Sequence, residues 1–272
     1  VTRRQRLELR KPLDALFDGD TLWLKVCRAL CEARALDRKE FFETCEFFEQ
    51  VRGALRASSM DDTSSSDDGR RVLCEVAGGH GLLGVLFACF ERQRFDEVCI
   101  VDLKRPASFA RVLAAVASVA PWVVERVRFV EADFRGEATN GQRLLPRGCA
   151  VACVHGCKSL TDEVLRASVA AEAETIAVMP CCYSHAEAAE AAPRALRLGC
   201  GVALAADVER TYRLEDGGRY EVEWRHIPAA ITPMNRVLLA RRRSHHRATA
   251  SSSSSSSSSS RAPLALPCSQ QG

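Results

Sequence analysis

The residues of this chain best suited to chemistry stand where short apolar runs end. From Arg71 to Gly84 the sequence RVLCEVAGGHGLLG runs through Val72, Leu73, Cys74 and Val76, carries an acid at Glu75, and passes Ala77, Gly78, Gly79 and Gly81 before a helical apolar pattern starts at Leu82. Glycine lets a backbone turn sharply and approach a ligand closely. A helix that follows such a turn aims its unpaired N–H groups back at it, an arrangement suited to a nucleotide-like cofactor. Tight turns also call for glycine on conformational grounds, so this element alone carries either reading.

Four more apolar runs end in polar groups. Val98 to Val101 closes on Asp102, Val127 to Val130 leads to Asp133 and Phe134, Cys149 to Val154 leads to His155-Gly156-Cys157-Lys158-Ser159-Leu160-Thr161-Asp162, and Ile176 to Met179 leads to Pro180-Cys181-Cys182-Tyr183. A carboxylate such as Asp102 can accept both hydroxyls of a ribose; its structural alternative is a helix N-cap. Asp133 can accept from an exocyclic amine while Phe134 packs on a base. His155, Cys157, Cys181, Cys182 and His185 are also a donor set for a tetrahedral metal. Adjacent Cys181 and Cys182 would diverge if strand geometry ran through them, and no C-x-x-C is present, so no bound metal is expected. Of His155, Cys157, Cys181, Cys182 and Tyr183, His155 is the one expected to titrate near neutral pH.

Strands alternating with helices must position these residues. Helices are expected at Leu82 to Phe87, from Pro106 through Val119 and at Thr161 to Ala171, between the strands just named, which makes a parallel sheet covered on both faces. Later, Ala186 to Ala192 and Gly201 to Leu214 read as helical, and Tyr220 to Ile227 and Val237 to Ala240 as an antiparallel pair at the sheet edge. Ligands of an open sheet of this kind sit beyond the carboxyl ends of its strands. The expected organisation is a helical extension over 1–56 with an aromatic stripe of Phe41, Phe42, Phe47 and Phe48, a Ser- and Asp-rich linker over 57–70, one α/β domain over 71–243 and a disordered Ser-rich tail over 244–272.

Composition bounds the rest. The 272 residues are 47% hydrophobic and 27% charged, enough for one sizeable core, and the net charge of +3 implies no polyanion partner by itself. No apolar run approaches the roughly 18–20 residues that cross a bilayer, so no membrane partner is expected. Thirteen cysteines are many, yet Cys74, Cys89, Cys99, Cys149 and Cys153 lie inside apolar runs, as small hydrophobes of an intracellular, cytoplasmic protein rather than a disulfide framework. The chain opens at Val1, which leaves room for an upstream targeting segment.

The fourth and fifth strand ends carry a resemblance. His155-Gly156-Cys157-Lys158-Ser159-Leu160-Thr161-Asp162 and Pro180-Cys181-Cys182-Tyr183 resemble the H-x-C-G-x-L-T-D and P-C-C-[YH] stretches of class I S-adenosylmethionine-dependent methyltransferases. That group includes the methyltransferase domain of glutathione S-transferase C-terminal-domain-containing protein and, more distantly, tRNA 2'-O-methyltransferases. Ile231-Thr232-Pro233-Met234-Asn235-Arg236 is similar to the I-T-P-K-N-R stretch that opens the final strand in such domains. The resemblance spans roughly Arg71 to Arg243 and implies a Rossmann-like, mostly parallel seven-stranded sheet with an antiparallel edge strand. It implies S-adenosyl-L-methionine as cofactor, held by Glu75, Ala77, Gly78, Gly79, Gly81, Asp102, Leu103, Asp133 and Phe134. His155, Cys157, Cys181, Cys182 and Tyr183 would line the methyl-transfer end, with RNA or a protein as acceptor. Ala77 and Lys158 stand where the group carries glycine. A fold that binds cofactor without turnover, and a nicotinamide-dependent oxidoreductase with the same glycine turn and ribose acid, are the alternatives.

Overall fold

Val72–Val76 (β1) is buried along its whole length, as a strand must be when neighbours flank it and helices cover both its faces. The computed structural model describes residues 16–56, 70–135, 144–183, 185 and 192–243. Around β1 it places Glu97–Asp102 (β2), Val127–Glu131 (β3), Ala150–Cys153 (β4), Thr175–Val178 (β5), Tyr220–His226 (β6) and Arg236–Arg242 (β7) in one sheet, in the order β3-β2-β1-β4-β5-β7-β6. The first five strands are parallel; β7 runs antiparallel to β5, and β6 antiparallel to β7. The expected fold class, with its antiparallel edge, is therefore the observed one. The order reverses between β1 and β4, and the carboxyl ends on either side of that point frame a crevice.

Period-2 alternation divides the core between the two faces. Leu73, Val98, Ile100, Ala150 and Ala152 face one way and pack with Leu22–Ala33 (α1), Arg38–Arg56 (α2), Leu82–Phe90 (α3), Ala107–Ala117 (α4) and Val123–Arg126 (α5). Cys74, Cys99, Val101, Val151 and Cys153 face the other way, toward Ser159–Ala170 (α6) and, after Pro193–Arg197 (α7), Val202–Glu215 (α8). Cys74, Cys89, Cys99, Cys149 and Cys153 are all buried with free thiols, as small apolar side chains would be.

The two N-terminal helices share the first core. Phe47 and Phe48 are fully buried, and the Phe48 ring meets Phe87 of α3 edge-on at 4.9 Å while Trp23 of α1 stacks on it at 6.1 Å. Phe41 is buried and Phe42 partly so. Arg225 of β6 donates to the Gln50 carbonyl, tying α2 to the last strand pair as well. Asn235 closes the loop between β6 and β7: its Nδ2 donates to the Ile227 carbonyl at 2.7 Å and its own carbonyl accepts from Ile227 N at 3.0 Å. All but the last residue of the helix expected over Ala186 to Ala192, most of the linker and the Ser-rich tail lie outside the described residues.

Candidate functional site

Because Glu75 is one step past Cys74 on β1, its side chain points to the face covered by α3, where it is buried. There Oε2 accepts the Gly84 amide at 2.8 Å. The Leu82 amide donates to Nδ1 of His80 at 3.1 Å. Gly81, the N-cap, supplies no side chain, so the first turn of α3 has two of its unpaired N–H groups satisfied by Glu75 and His80. Gly84 permits this approach: a Cβ there would lie 2.8 Å from Glu75 Oε2 and 2.9 Å from Ile100 Cγ1. Burial pushes the Glu75 carboxyl up to about 8, helped by the nearby Asp102 charge and opposed by the Gly84 hydrogen bond. Burial likewise brings His80 down to about 4, with His155 adding to the shift, so its imidazole is neutral and free to accept.

The turn itself is left-handed at Ala77, φ +57°, and at Gly81, φ +69°. Ala77 holds that conformation with a Cβ, which costs on the order of 1–2 kcal/mol. Asp102, at the end of β2, accepts the Gly79 amide through Oδ2 at 2.8 Å and so clamps the turn to the neighbouring strand.

Beyond the turn lies an open cavity of about 880 Å³. Glu75, Ala77, Gly78, Gly79 and His80 line one side; Val154, His155, Cys157, Cys181 and Cys182 line another, with Asp37 to Glu40, Phe42, Glu43 and Thr44 around the start of α2 and Ala230–Ile231 of the β6–β7 loop. Two groups of expected site residues, from the ends of β1 and of β4 and β5, therefore meet in one cavity. Helix α2 adds a buried acid that sequence reasoning missed: Glu43 binds Lys39 Nζ at 2.7 Å, and its Oε2 lies 3.8 Å from His155 Nε2. That nitrogen is buried and makes no hydrogen bond among the described residues. Burial lowers the His155 pKa against the opposing pull of Glu43. The spacing of Lys39 and Glu43 on one helix face was visible in the sequence; their approach to His155 was not.

The divergence expected of Cys181 and Cys182 is conditional on strand geometry running through them, and that condition is not met. Strand β5 ends at Val178, before Pro180, so strand geometry does not continue through Cys181 and Cys182 and their side chains do not diverge. Their sulfurs lie 3.6 Å apart, and Cys157 Sγ is 3.1 Å from Cys181 Sγ and 3.5 Å from Cys182 Sγ. Lys158 N donates to the Cys182 carbonyl at 3.3 Å, binding the two loops together, and Lys158 adopts φ +56°, ψ −133°, a region glycine favours. Burial raises the Cys157 and Cys181 thiol pKa values.

Other expected residues stand apart from the cavity. Tyr183 donates its hydroxyl to Asp207 Oδ2 at 2.7 Å; this fully buried acid of α8 also binds Arg236 Nε at 2.8 Å and Arg210 at 3.2 Å, while Arg210 holds Asp162 at 2.8 Å. Tyr183 and Asp162 thus belong to a network that fixes the loop after β5 and the first turn of α6 to α8 and β7. Leu103 is exposed at the end of β2. Asp133 accepts the Arg135 amide at 3.0 Å, and Phe134 packs on the second core, beyond the cavity walls.

A family model described as a methyltransferase domain matches residues 41–189, more than half of the chain. A search of curated proteins finds no match. Among solved structures, an uncharacterized protein from Listeria monocytogenes overlaps with a TM-score of 0.42 at 10% identity, covering 72% of this chain and 67% of the other. An O-methyltransferase family protein from Burkholderia thailandensis overlaps with a TM-score of 0.38 at 15% identity, over 79% of this chain and 62% of the other. A SAM-dependent methyltransferase from Aquifex aeolicus gives 0.40 at 9%, over 71% and 88%. No helix among the described residues is long and apolar enough to cross a membrane.

Proposed function

Because the chain belongs to the methyltransferase-domain family, we propose that it is an S-adenosyl-L-methionine-dependent methyltransferase acting on RNA or a protein, of the type with H-x-C and P-C-C strand ends. The observation that carries this reading is the shared cavity, in which the glycine turn and the His155, Cys157, Cys181 and Cys182 cluster face one space.

In this reading the cofactor lies along Glu75 to Gly81. Asp102 keeps Oδ2 on Gly79 and offers its other oxygen to the ribose, with Leu103, Asp133 and Phe134 on the adenine side. The cofactor supplies an electrophilic methyl group on a sulfonium. The protein's part is to hold the acceptor in line with that methyl and to keep water out, contributions that come from positioning more than from bond chemistry. Where the acceptor must lose a proton, His155 is the base: burial holds its imidazole neutral, and it lines the cavity beside Cys157. RNA and protein are the two acceptor classes of this proposal. Localisation in the cytoplasm belongs to the same proposal.

The test has two parts. S-adenosylhomocysteine should raise the melting temperature of the purified protein by binding the native state. Methyl-labelled cofactor should transfer label to the RNA or the protein fraction of a cell extract. A melting temperature that responds to NADH and not to S-adenosylhomocysteine would refute the assignment.

A further inference from the structure

Three thiols meeting at a solvent-accessible cavity differ from the other cysteines of this chain. Cys74 and Cys99 are register partners inside the sheet and are buried in its second core, where a thiol fills space. Cys157 and Cys182 are exposed, Cys181 is half-buried, and all three line the cavity. Their sulfurs form a triangle with sides of 3.1, 3.5 and 3.6 Å. A tetrahedral zinc ion with Zn–S bonds of about 2.3 Å separates its sulfurs by about 3.8 Å, so small outward shifts complete the geometry. A disulfide needs a contraction to about 2.05 Å by one pair and leaves the third sulfur without a role.

The backbone supports the triangle. Lys158 holds a strained conformation directly after Cys157, and its N–H binds the carbonyl of Cys182. Such strain costs about 1–3 kcal/mol and persists where surrounding structure over-determines it, as at ligand clamps.

We propose that Cys157, Cys181 and Cys182 are three protein ligands of a thiophilic metal ion, zinc, whose fourth position opens into the cavity. Among the described residues the group of donors within reach comprises these three. His155 directs Nε2 toward Glu43 instead, at 3.8 Å. Three protein ligands and one open position mark a reactive zinc site; a purely structural one is closed by four. Binding is a proton exchange: three thiols release three protons to solvent as three thiolates take the ion.

The inference stands apart from methyl transfer, because it is read on the full chain without cofactor. Reduced, metal-free protein titrated with Co²⁺ should take up one equivalent and show thiolate-to-cobalt charge-transfer absorption with tetrahedral visible bands, and Zn²⁺ should displace it. Cys157→Ser and Cys181→Ser should each weaken binding at least about tenfold, whereas Cys200→Ser should bind like the parent. In the unmutated protein Zn²⁺ should shield Cys157, Cys181 and Cys182 from N-ethylmaleimide and leave Cys200 labelled as before, a readout that survives poor folding of a variant. Alkylation unaffected by Zn²⁺, or cobalt uptake without charge-transfer absorption, would overturn the proposal. So would a fully reduced protein that takes up no metal and instead forms a Cys157–Cys181 disulfide in air. Zinc binding without any response to S-adenosylhomocysteine would leave the metal site standing and remove the functional reading.

Discussion

Glu75 accepts the Gly84 amide at 2.8 Å, so an acid on the central strand caps the helix that follows it, while the neighbouring His80 imidazole accepts from Leu82. Both groups are shifted by burial, in directions that oppose each other in their effect on stability.

Glu75 stabilises the folded state most at low pH. Its folded pKa of about 8 exceeds the ordinary 4.5, so between those values the folded state holds a proton the unfolded state has lost, and stability falls as pH rises. His80, at about 4 against 6.5, binds fewer protons when folded, and stability falls as pH drops through that window. The two slopes cancel from about 4.5 to 6.5, leaving a fall of up to about 1.4 kcal/mol per pH unit from about 6.5 to 8. Glu75→Gln should flatten that limb in urea unfolding at pH 6.5, 7.2 and 8; an unchanged slope would show that Glu75 is already ionised in the native state.

Gly84→Ala tests the same contact sterically. The added Cβ would meet Glu75 Oε2 at 2.8 Å and Ile100 at 2.9 Å, both held by packing. The expected cost is about 1–3 kcal/mol at unchanged m-value, measured by urea denaturation.

Asp207 anchors Tyr183, Arg210 and Arg236 from a position without solvent exposure. Asp207→Ala removes the shared partner of Tyr183, Arg210 and Arg236 while Arg210 keeps Asp162, and should destabilise by about 3 kcal/mol. Tyr183→Phe removes one hydrogen bond and should cost about 0.5–1.5 kcal/mol. Equal effects of the two variants in thermal melts would mean that Tyr183, and not the charge network, carries the stability.

Asp102→Ala should shrink the thermal shift produced by S-adenosylhomocysteine, since it removes both the clamp on Gly79 and the proposed ribose acceptor. Restraining the turn by the clamp alone predicts that Asp102→Asn, which still accepts from Gly79, restores the shift in full. Hydroxyl recognition by the charged acid predicts partial rescue, and titration calorimetry separates the two.

Glu43, 3.8 Å from His155 Nε2, opposes the lowering of the His155 pKa by burial, so Glu43→Gln should lower it further and move the acid limb of a methyl-transfer pH profile downward. His155→Ala should reduce turnover while S-adenosylhomocysteine binding largely survives. A profile that ignores Glu43→Gln would place the essential base elsewhere.

Local pattern was enough for much of this molecule. Apolar runs of four to seven residues broken by Gly, Pro or acids specify strands, and 3.6-residue spacing specifies the helices between them; alternation therefore yields a mostly parallel sheet before any coordinates exist. Strand ends then predict where polar groups gather, and Gly78, Gly79, His155, Cys157, Cys181 and Cys182 do share one cavity. What periodicity cannot carry is contact across long sequence separations. Glu43 reaches His155 only because α2 packs on α3 through Phe48 and Phe87, and Asp207 collects Tyr183 and Arg236 only because α8 lies across β7. Cys181 and Cys182 point together because the strand stops at Val178, a boundary set by pairing with β4 and β7 rather than by side-chain type. Burial of Glu75, and with it the carboxyl's affinity for its proton, is likewise a property of the packed helix above it, since the same acid in an unfolded chain is an ordinary carboxylate.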